Sequence, residues 1–316
     1  MISYCTEDRH GYSIKFSPYN SDCLIVATSR DFGFAGEGSL FILNIDNEGS
    51  IAKEYLKLHW SDGLFDVVWS ESNIAIIVSC SGDGTLQLWN LQAPNVKPII
   101  YSEHKTEIYS VDWSKCRQEN KFLSASWDNT IKLWDPNRLN SLHTFFKHSN
   151  IVYTALFSPH ISNCFASASA DGTLNIWNCL DAVNPISVQA HNAEILCCDW
   201  CKFDHNLIAT GASDGLIRGW DIRQITQPVF QWKASLCPIK RIQFSPHCLN
   251  VLASVGYDFN TKIWDLNQNC KALEIFSHHS EFVYGLDWNI HRKGQIADCA
   301  WDSFVKVFTL NCLSNI

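Results

Sequence analysis

Long apolar runs are missing from this chain. Its most hydrophobic stretches, such as residues 74–80, fall far short of the roughly 20 residues that a bilayer-spanning helix requires, so no membrane span is expected. The first twelve residues lack the apolar stretch and small-residue site of a leader and carry Glu7, Asp8, Arg9 and His10 instead. No secretory signal is expected, and the protein is expected to stay in the cytoplasm. Positive charge is scarce, with 24 Lys and Arg against 32 Asp and Glu and a formal net charge of -8. That balance argues against a nucleic-acid partner held through many phosphate contacts and favours a basic one. A phosphate-cradling loop is also lacking, because Gly33, Gly36 and Gly38 are followed by neither the lysine nor the helix such a loop needs. The Asp-Gly pairs at Asp83, Asp171 and Asp214 lack the further acidic ligands of a calcium loop and read as turns.

Cysteine, by contrast, is plentiful. Many of the 14 cysteines fall in apparent strands (Cys80, Cys164, Cys197, Cys198, Cys299), where cysteine behaves as a small buried hydrophobe, so they are expected to be reduced. Cys198 and Cys201 have C-x-x-C spacing, but the pair sits on a strand pattern and lacks the other two ligands of a zinc site. No cofactor and no metal is expected. Hydrophobic residues make up 46% of the chain and charged residues 18%, enough apolar surface for a large buried core.

A repeat organises the chain. An aromatic residue closes each of residues 82–89 (GDGTLQLW), 127–134 (WDNTIKLW), 170–177 (ADGTLNIW), 213–220 (SDGLIRGW), 257–264 (YDFNTKIW) and 301–308 (WDSFVKVF). The closing positions 89, 134, 177, 220, 264 and 308 advance by 43 to 45 residues, the period of WD40 propellers. A degenerate seventh copy, residues 36–43 (GEGSLFIL), has Glu37 where the others have Asp and Leu43 where they have an aromatic. Each copy alternates around a turn and reads as an antiparallel blade. Too few residues follow Phe308 for a full outer strand, while Ile2 to Thr6 precede the first copy with nothing else to pair. The expectation is an all-β, seven-bladed WD40 β-propeller spanning residues 1–316 as a single domain, its ring closed by the N-terminal strand in the last blade.

Polar residues recur with the repeat. An Asp stands six positions before each closing aromatic (Asp83, Asp128, Asp171, Asp214, Asp258, Asp302), and a His lies 23 or 24 before it in five copies (His59, His104, His148, His191, His279). Ser79, Ser124, Ser167, Thr210, Ser254 and Asp298 lie four before it. A His/Ser/Asp set invites a hydrolase reading. An active site needs one such set and not six, so these residues are expected to form a buried hydrogen-bond chain in each blade, with no catalytic residues.

The loops that enter the inner strands are where a partner is expected. Four residues before the aromatic ending each inner strand stand Tyr12, Phe65, Tyr109, Tyr153, Leu196, Lys240 and Tyr284. Close before them lie Asp62, Glu107, Glu194 and Glu281, and just before the repeat Asp stand Trp127, Tyr257 and Trp301. An acidic and aromatic rim suits a cationic, partly apolar segment such as an amphipathic helix. The expected peptide contacts are Asp62, Phe65, Glu107, Tyr109, Trp127, Tyr153, Glu194, Tyr284 and Trp301. The same aromatics could instead plug the centre of the ring, and the same face could serve a generic WD40 scaffold or substrate adaptor that takes another basic peptide.

Segments between the generic repeat positions narrow the choice. Residues 9–19 (RHGYSIKFSPY), 62–71 (DGLFDVVWSE), 107–114 (EIYSVDWS), 164–169 (CFASAS), 193–202 (AEILCCDWCK) and 297–302 (ADCAWD) resemble the receptor family for the type-2 peroxisomal targeting signal, over essentially the whole chain. The resemblance implies a cytoplasmic import receptor that shuttles to the peroxisome and captures matrix enzymes through a short, basic, helical N-terminal signal. It also implies delivery with a co-receptor and docking proteins. It would set Asp62, Glu107 and Glu194 against the signal's cations, and Phe65, Tyr109, Tyr153 and Trp127 against its apolar side. The C-terminal residues 313–316 (LSNI) are not a Ser-Lys-Leu address, so the chain would enter the organelle only with cargo or remain outside it.

Overall fold

The structure, a computed structural model, describes residues 1–33, 36–45, 52–116, 119–267 and 270–313. Residues 314–316 of the C-terminal segment and residues 34–35 of the glycine-containing stretch lie outside the described residues. The strands assemble into seven four-stranded sheets, and among the described residues the only helical element is one 3-10 turn, Asp31–Gly33. The fold is a seven-bladed all-β propeller. Six blades are consecutive strand quartets, over residues 10–60, 64–101, 108–145, 152–189, 195–233 and 239–276. The seventh joins the last three strands, Val283–Trp288, Gln295–Ala300 and Phe304–Thr309, to the first strand of the chain, Ile2–Cys5. Ile2 lies opposite Val307 and Cys5 opposite Phe304, so the two ends of the chain pair within one blade.

By compactness the chain divides into residues 1–67 with 240–316, and residues 68–239. In the first unit, Ile2, Ile14, Phe16, Leu24, Val26, Phe41, Leu43, Ala297, Cys299 and Val305 form one buried cluster that packs the closing blade on the first. Leu43 therefore replaces a tryptophan by apolar packing alone, fully buried. Glu37, the other degenerate position, binds Arg9, whose guanidinium also donates to the Glu37 carbonyl at 2.6 Å. In the second unit, Leu123, Leu133, Phe145, Phe157, Phe165 and Trp177 fill the layer between one pair of blades. Ile176, Ile195, Trp200, Ile208 and Trp220 fill the next. Neighbouring blades are also stitched by inner-strand carboxylates: Asp112 accepts the Phe157 amide at 2.9 Å, and Asp287 accepts the Phe16 amide at 2.7 Å.

The turns follow from one side chain. In each of six repeats the Asp carboxylate accepts the amide two residues on, as in Asp83 to Thr85, Asp171 to Thr173 and Asp302 to Phe304 (2.9, 2.9 and 3.0 Å). The intervening residue is thereby forced into the left-handed region. Gly84, Gly172 and Gly215 meet this requirement without strain, whereas Asn129, Phe259 and Ser303 adopt φ of 67°, 65° and 66°. Ser303 bears that cost while its carbonyl binds the Thr6 amide of the closing strand. Ser303→Gly keeps the backbone bond and removes the steric conflict. It is expected to stabilise the protein by about 0.5–1 kcal/mol, read as a raised urea midpoint at unchanged slope.

Candidate functional site

The inner strands are interrupted at one position. Pairing with the second strand shifts register between Gly11 and Ser13, Ile108 and Ser110, Val152 and Thr154, Ile195 and Cys197, and Val283 and Gly285. The skipped residues are Tyr12, Tyr109, Tyr153, Leu196 and Tyr284, five of the seven positions singled out from the sequence. A bulge leaves its extra residue out of the ladder and re-aims the side chain. The aromatic positions are therefore set by backbone geometry as well as by residue type.

In the first unit these side chains gather into one aromatic cluster. Tyr284 stacks on Trp301 with centroids 4.7 Å apart, and Tyr12 sits within 5.0 to 5.7 Å of Phe65, Tyr284 and Trp301. Phe282 and Phe32 each meet Trp301 at 5.4 Å, and the Tyr257 and Tyr284 hydroxyls are hydrogen-bonded at 2.8 Å. Lys240 holds its ammonium over the Tyr284 ring at 4.8 Å. Two of the expected contacts lie deep: Phe65 and Tyr284 are only 5% and 4% exposed, whereas Trp301 is half-buried and Phe32 is 46% exposed. Asp62 is half-buried and caps the Gly63 amide at 2.6 Å. Its backbone rests against Gly38, where a β-carbon would lie 2.4 Å from the Asp62 carbonyl oxygen. Gly38, one of the three glycines that form no phosphate loop, thus seats the Asp62 segment.

The second unit carries a smaller group. Tyr109 stacks on Trp127 at 5.4 Å and meets the edge of Tyr153 at 6.0 Å. The Tyr153 hydroxyl donates to the exposed Glu194 carboxylate at 3.1 Å. The Trp127 amide donates to the carbonyl of Glu107 at 2.9 Å, tying the tryptophan to the acidic residue of its blade. Trp127 is 36% exposed, while Tyr109, Tyr153 and Glu107 are half-buried. Sequence reasoning missed Phe32, Phe282 and His10, which stacks on Phe32 at 4.0 Å. Phe282 was within reach, two residues before Tyr284 on the same approach, whereas Phe32 and His10 carry no repeat signal.

The recurring polar residues form buried chains. In the blade of Trp134 the indole donates to Ser124 Oγ at 2.8 Å, Ser124 lies 2.7 Å from His104 Nε2, and His104 Nδ1 lies 2.8 Å from Asp128. An indole only donates and a carboxylate only accepts, so the chain runs from Trp to Asp with the serine donating to the histidine. Trp177, Ser167, His148 and Asp171 repeat it, as do Trp220, Thr210, His191 and Asp214. Burial opposes ionisation of Asp128 and Asp171, but the bonds from His104 and His148 prevail and hold both well below the usual carboxylate range. Elsewhere the chain departs from expectation. Ser79 binds Trp89 and, at 2.7 Å, the Gln87 amide oxygen, while His59 binds Ser39. Trp264 still binds Ser254, but Asp258 takes Lys262 at 2.6 Å. In the closing blade His279 lies between two carboxylates, Asp298 at 3.0 Å and Asp302 at 2.8 Å. Burial would push its pKa down, yet the two carboxylates hold it up at about 9.

The cysteines form no disulfide among the described residues, and burial pushes the Cys198 thiol up, as suits a packing residue and not a redox centre. No helix is long and apolar enough to cross a membrane among the described residues.

Four-stranded blades, six of them turned by an Asp and five tied internally through a tryptophan, define a WD40-repeat β-propeller. The family profile "WD domain, G-beta repeat" matches residues 52–90, 97–135, 139–178 and 184–221. The chain belongs more narrowly to the peroxisomal targeting signal 2 receptor family. It is 47% identical to the peroxisomal targeting signal 2 receptor of Homo sapiens, covering 98% of this chain and 95% of that one. It is 45% identical to that of Mus musculus over 97% and 96%. To that of Saccharomyces cerevisiae it is 32% identical over 96% and 97%.

His191 provides a pH test of the buried chains. Burial outweighs the nearby Asp214 and lowers its pKa to about 4, against about 6.5 in an unfolded chain. As pH falls the unfolded state takes up the proton first. The contribution of neutral His191 is therefore complete above about pH 6.5 and lost between there and about pH 4. Stability read from urea unfolding should fall across that window by an amount on the order of 3 kcal/mol, and His191→Gln should show a flatter profile.

Proposed function

We propose that this chain is an import receptor that captures the type-2 targeting signal of peroxisomal matrix enzymes. The observation that carries the reading is the near full-length match to proteins bearing that receptor name. The aromatic and acidic groups at the strand bulges supply a chemistry suited to a basic, partly apolar helix. In this reading Asp62, Glu107 and Glu194 face the signal's cations. Trp127, Tyr109, Tyr153 and Trp301 give apolar contact, and the buried Phe65 and Tyr284 support the surface aromatics from beneath. The Glu194 carboxylate, already held by Tyr153, is pre-positioned and loses little freedom on binding.

Magnitudes rank these contacts. An exposed ion pair contributes about 0.2–1 kcal/mol, a well-packed tryptophan about 2 kcal/mol or more. Apolar contact therefore dominates affinity, and charge sets orientation and capture rate. Association costs on the order of 4–15 kcal/mol, so a short helix with one face on the receptor binds weakly alone. A co-receptor that covers the helix's other face completes the complex. The receptor works in the cytoplasm and shuttles to the peroxisome with cargo, where docking proteins receive it. The same reading takes residues 1–316 as one domain, since the unit boundaries fall within or at the end of the strands Leu64–Trp69 and Ile239–Phe244.

Fluorescence anisotropy of a labelled signal peptide tests the reading, with a charge-reversed peptide as control. Trp127→Ala should weaken binding by roughly thirty-fold, equivalent to about 2 kcal/mol. Glu107→Lys should weaken it several-fold, more at low salt than at moderate salt. Equal binding of the charge-reversed peptide would leave a WD40 scaffold for another ligand, and unchanged binding by both variants would remove these residues from the contact.

A further inference from the structure

The closing blade breaks the polar pattern in a way that the other blades do not. Where they carry Ser or Thr, it carries Asp298, which is fully buried. A second histidine, His278, turns toward the same carboxylate. His278 Nε2 lies 2.8 Å from Asp298 Oδ2, and His279 Nε2 lies 3.0 Å from Asp298 Oδ1. The ligand-capable atoms of the three residues all lie within 4.8 Å of one another. Phe308 stands in place of the indole that closes most other repeats, so no Trp donor competes for the carboxylate here. We propose that His278, His279 and Asp298 form a binding site for a divalent first-row metal ion, zinc by the nitrogen and oxygen character of its donors.

The surroundings have the features of a prepared metal site. His279 Nδ1 is held by Asp302 at 2.8 Å, which fixes the ring and aims Nε2 at the centre, as outer carboxylates do for zinc-bound histidines. Thr261, from the adjacent blade, donates to Asp298 Oδ2 at 2.6 Å and fixes the carboxylate. The Lys306 ammonium bonds the His278 carbonyl and anchors that backbone. Phe276 and Phe308 pack on the His278 ring at 5.9 and 5.0 Å and keep water from its face. His278 Nδ1 is buried without a hydrogen-bond partner, so a proton can move there when Nε2 exchanges its bond to Asp298 for a bond to the ion. The Nε2 proton of His279 leaves as the ion enters. Two imidazole nitrogens and one carboxylate oxygen of Asp298 give three protein donors. Metal–ligand bonds of about 2.0–2.2 Å need the nitrogen–oxygen pairs, now 2.8 and 3.0 Å apart, to open by a few tenths of an ångström and the set as a whole, now spread over up to 4.8 Å, to draw in. The expectation that the chain holds no metal rested on the cysteine spacing and the Asp-Gly turns, whereas this cluster joins two repeat positions, His279 and Asp298, to His278, which lies outside the repeat pattern.

The test is zinc content of the full chain, stripped with chelator, dialysed against zinc sulfate and measured by mass spectrometry. Asp298→Ser restores the hydroxyl of the other blades, and far-UV circular dichroism with signal-peptide binding checks that it folds. His278→Phe is a second variant, should the first lose its fold. About one more zinc per chain is expected in the wild type than in either folded variant. Cobalt substitution should give a spectrum without a thiolate charge-transfer band, which separates this site from the 14 cysteines. Equal zinc in the wild type and a folded variant, or a cobalt form ligated only by thiolate, would overturn the proposal.

Discussion

A buried indole N–H has to be given an acceptor, and much of this structure is organised around how that is done. Trp134, Trp177 and Trp220 each donate to a hydroxyl, which is passed through a histidine to an aspartate. The aspartate then accepts the backbone amide of its own turn. One chain of bonds thus satisfies the core polar groups, fixes the histidine-bearing loop against the blade and sets the turn geometry. An unpaired polar group left in such a place costs about 1–3 kcal/mol, so the residues of the chain are strongly coupled.

The blades that depart from the pattern show what it can be exchanged for. Leu43 gives up the donor, and with it the need for an acceptor, by filling its space with hydrocarbon. Ser79 keeps its indole but turns to Gln87, and Asp258 keeps its charge but turns to Lys262. In the closing blade a carboxylate replaces the hydroxyl. An acceptor-only group on each side of His279 then favours its doubly protonated form, unlike the neutral His191. One sequence position therefore decides the charge of another 19 residues away.

The surface chemistry depends on the same scaffold by a different route. Bulges at Tyr12, Tyr109, Tyr153 and Tyr284 take single residues out of the ladder, so an aromatic there is spared for its neighbours on adjoining strands. Depth then sorts them. Phe65 is buried against Tyr12 and Tyr284 against Trp301, whereas Trp127 stays open beside Glu107. Residues of similar type at equivalent repeat positions consequently divide into buried and exposed side chains.

The amino-acid sequence by itself determined the number of blades, the turns and the pairing of the chain ends, because each rests on local patterning repeated at a fixed period. It also located the aromatic and acidic positions at the inner strands, since these are offsets within the repeat. Depth, partner choice and charge state were decided only by the tertiary structure. Whether Tyr284 is buried or exposed, whether Ser79 finds a histidine or Gln87, and whether His278 reaches Asp298 all depend on side chains from other strands or distant segments. Burial and hydrogen bonding are properties of those assembled neighbours, and a periodic pattern along one chain does not encode them.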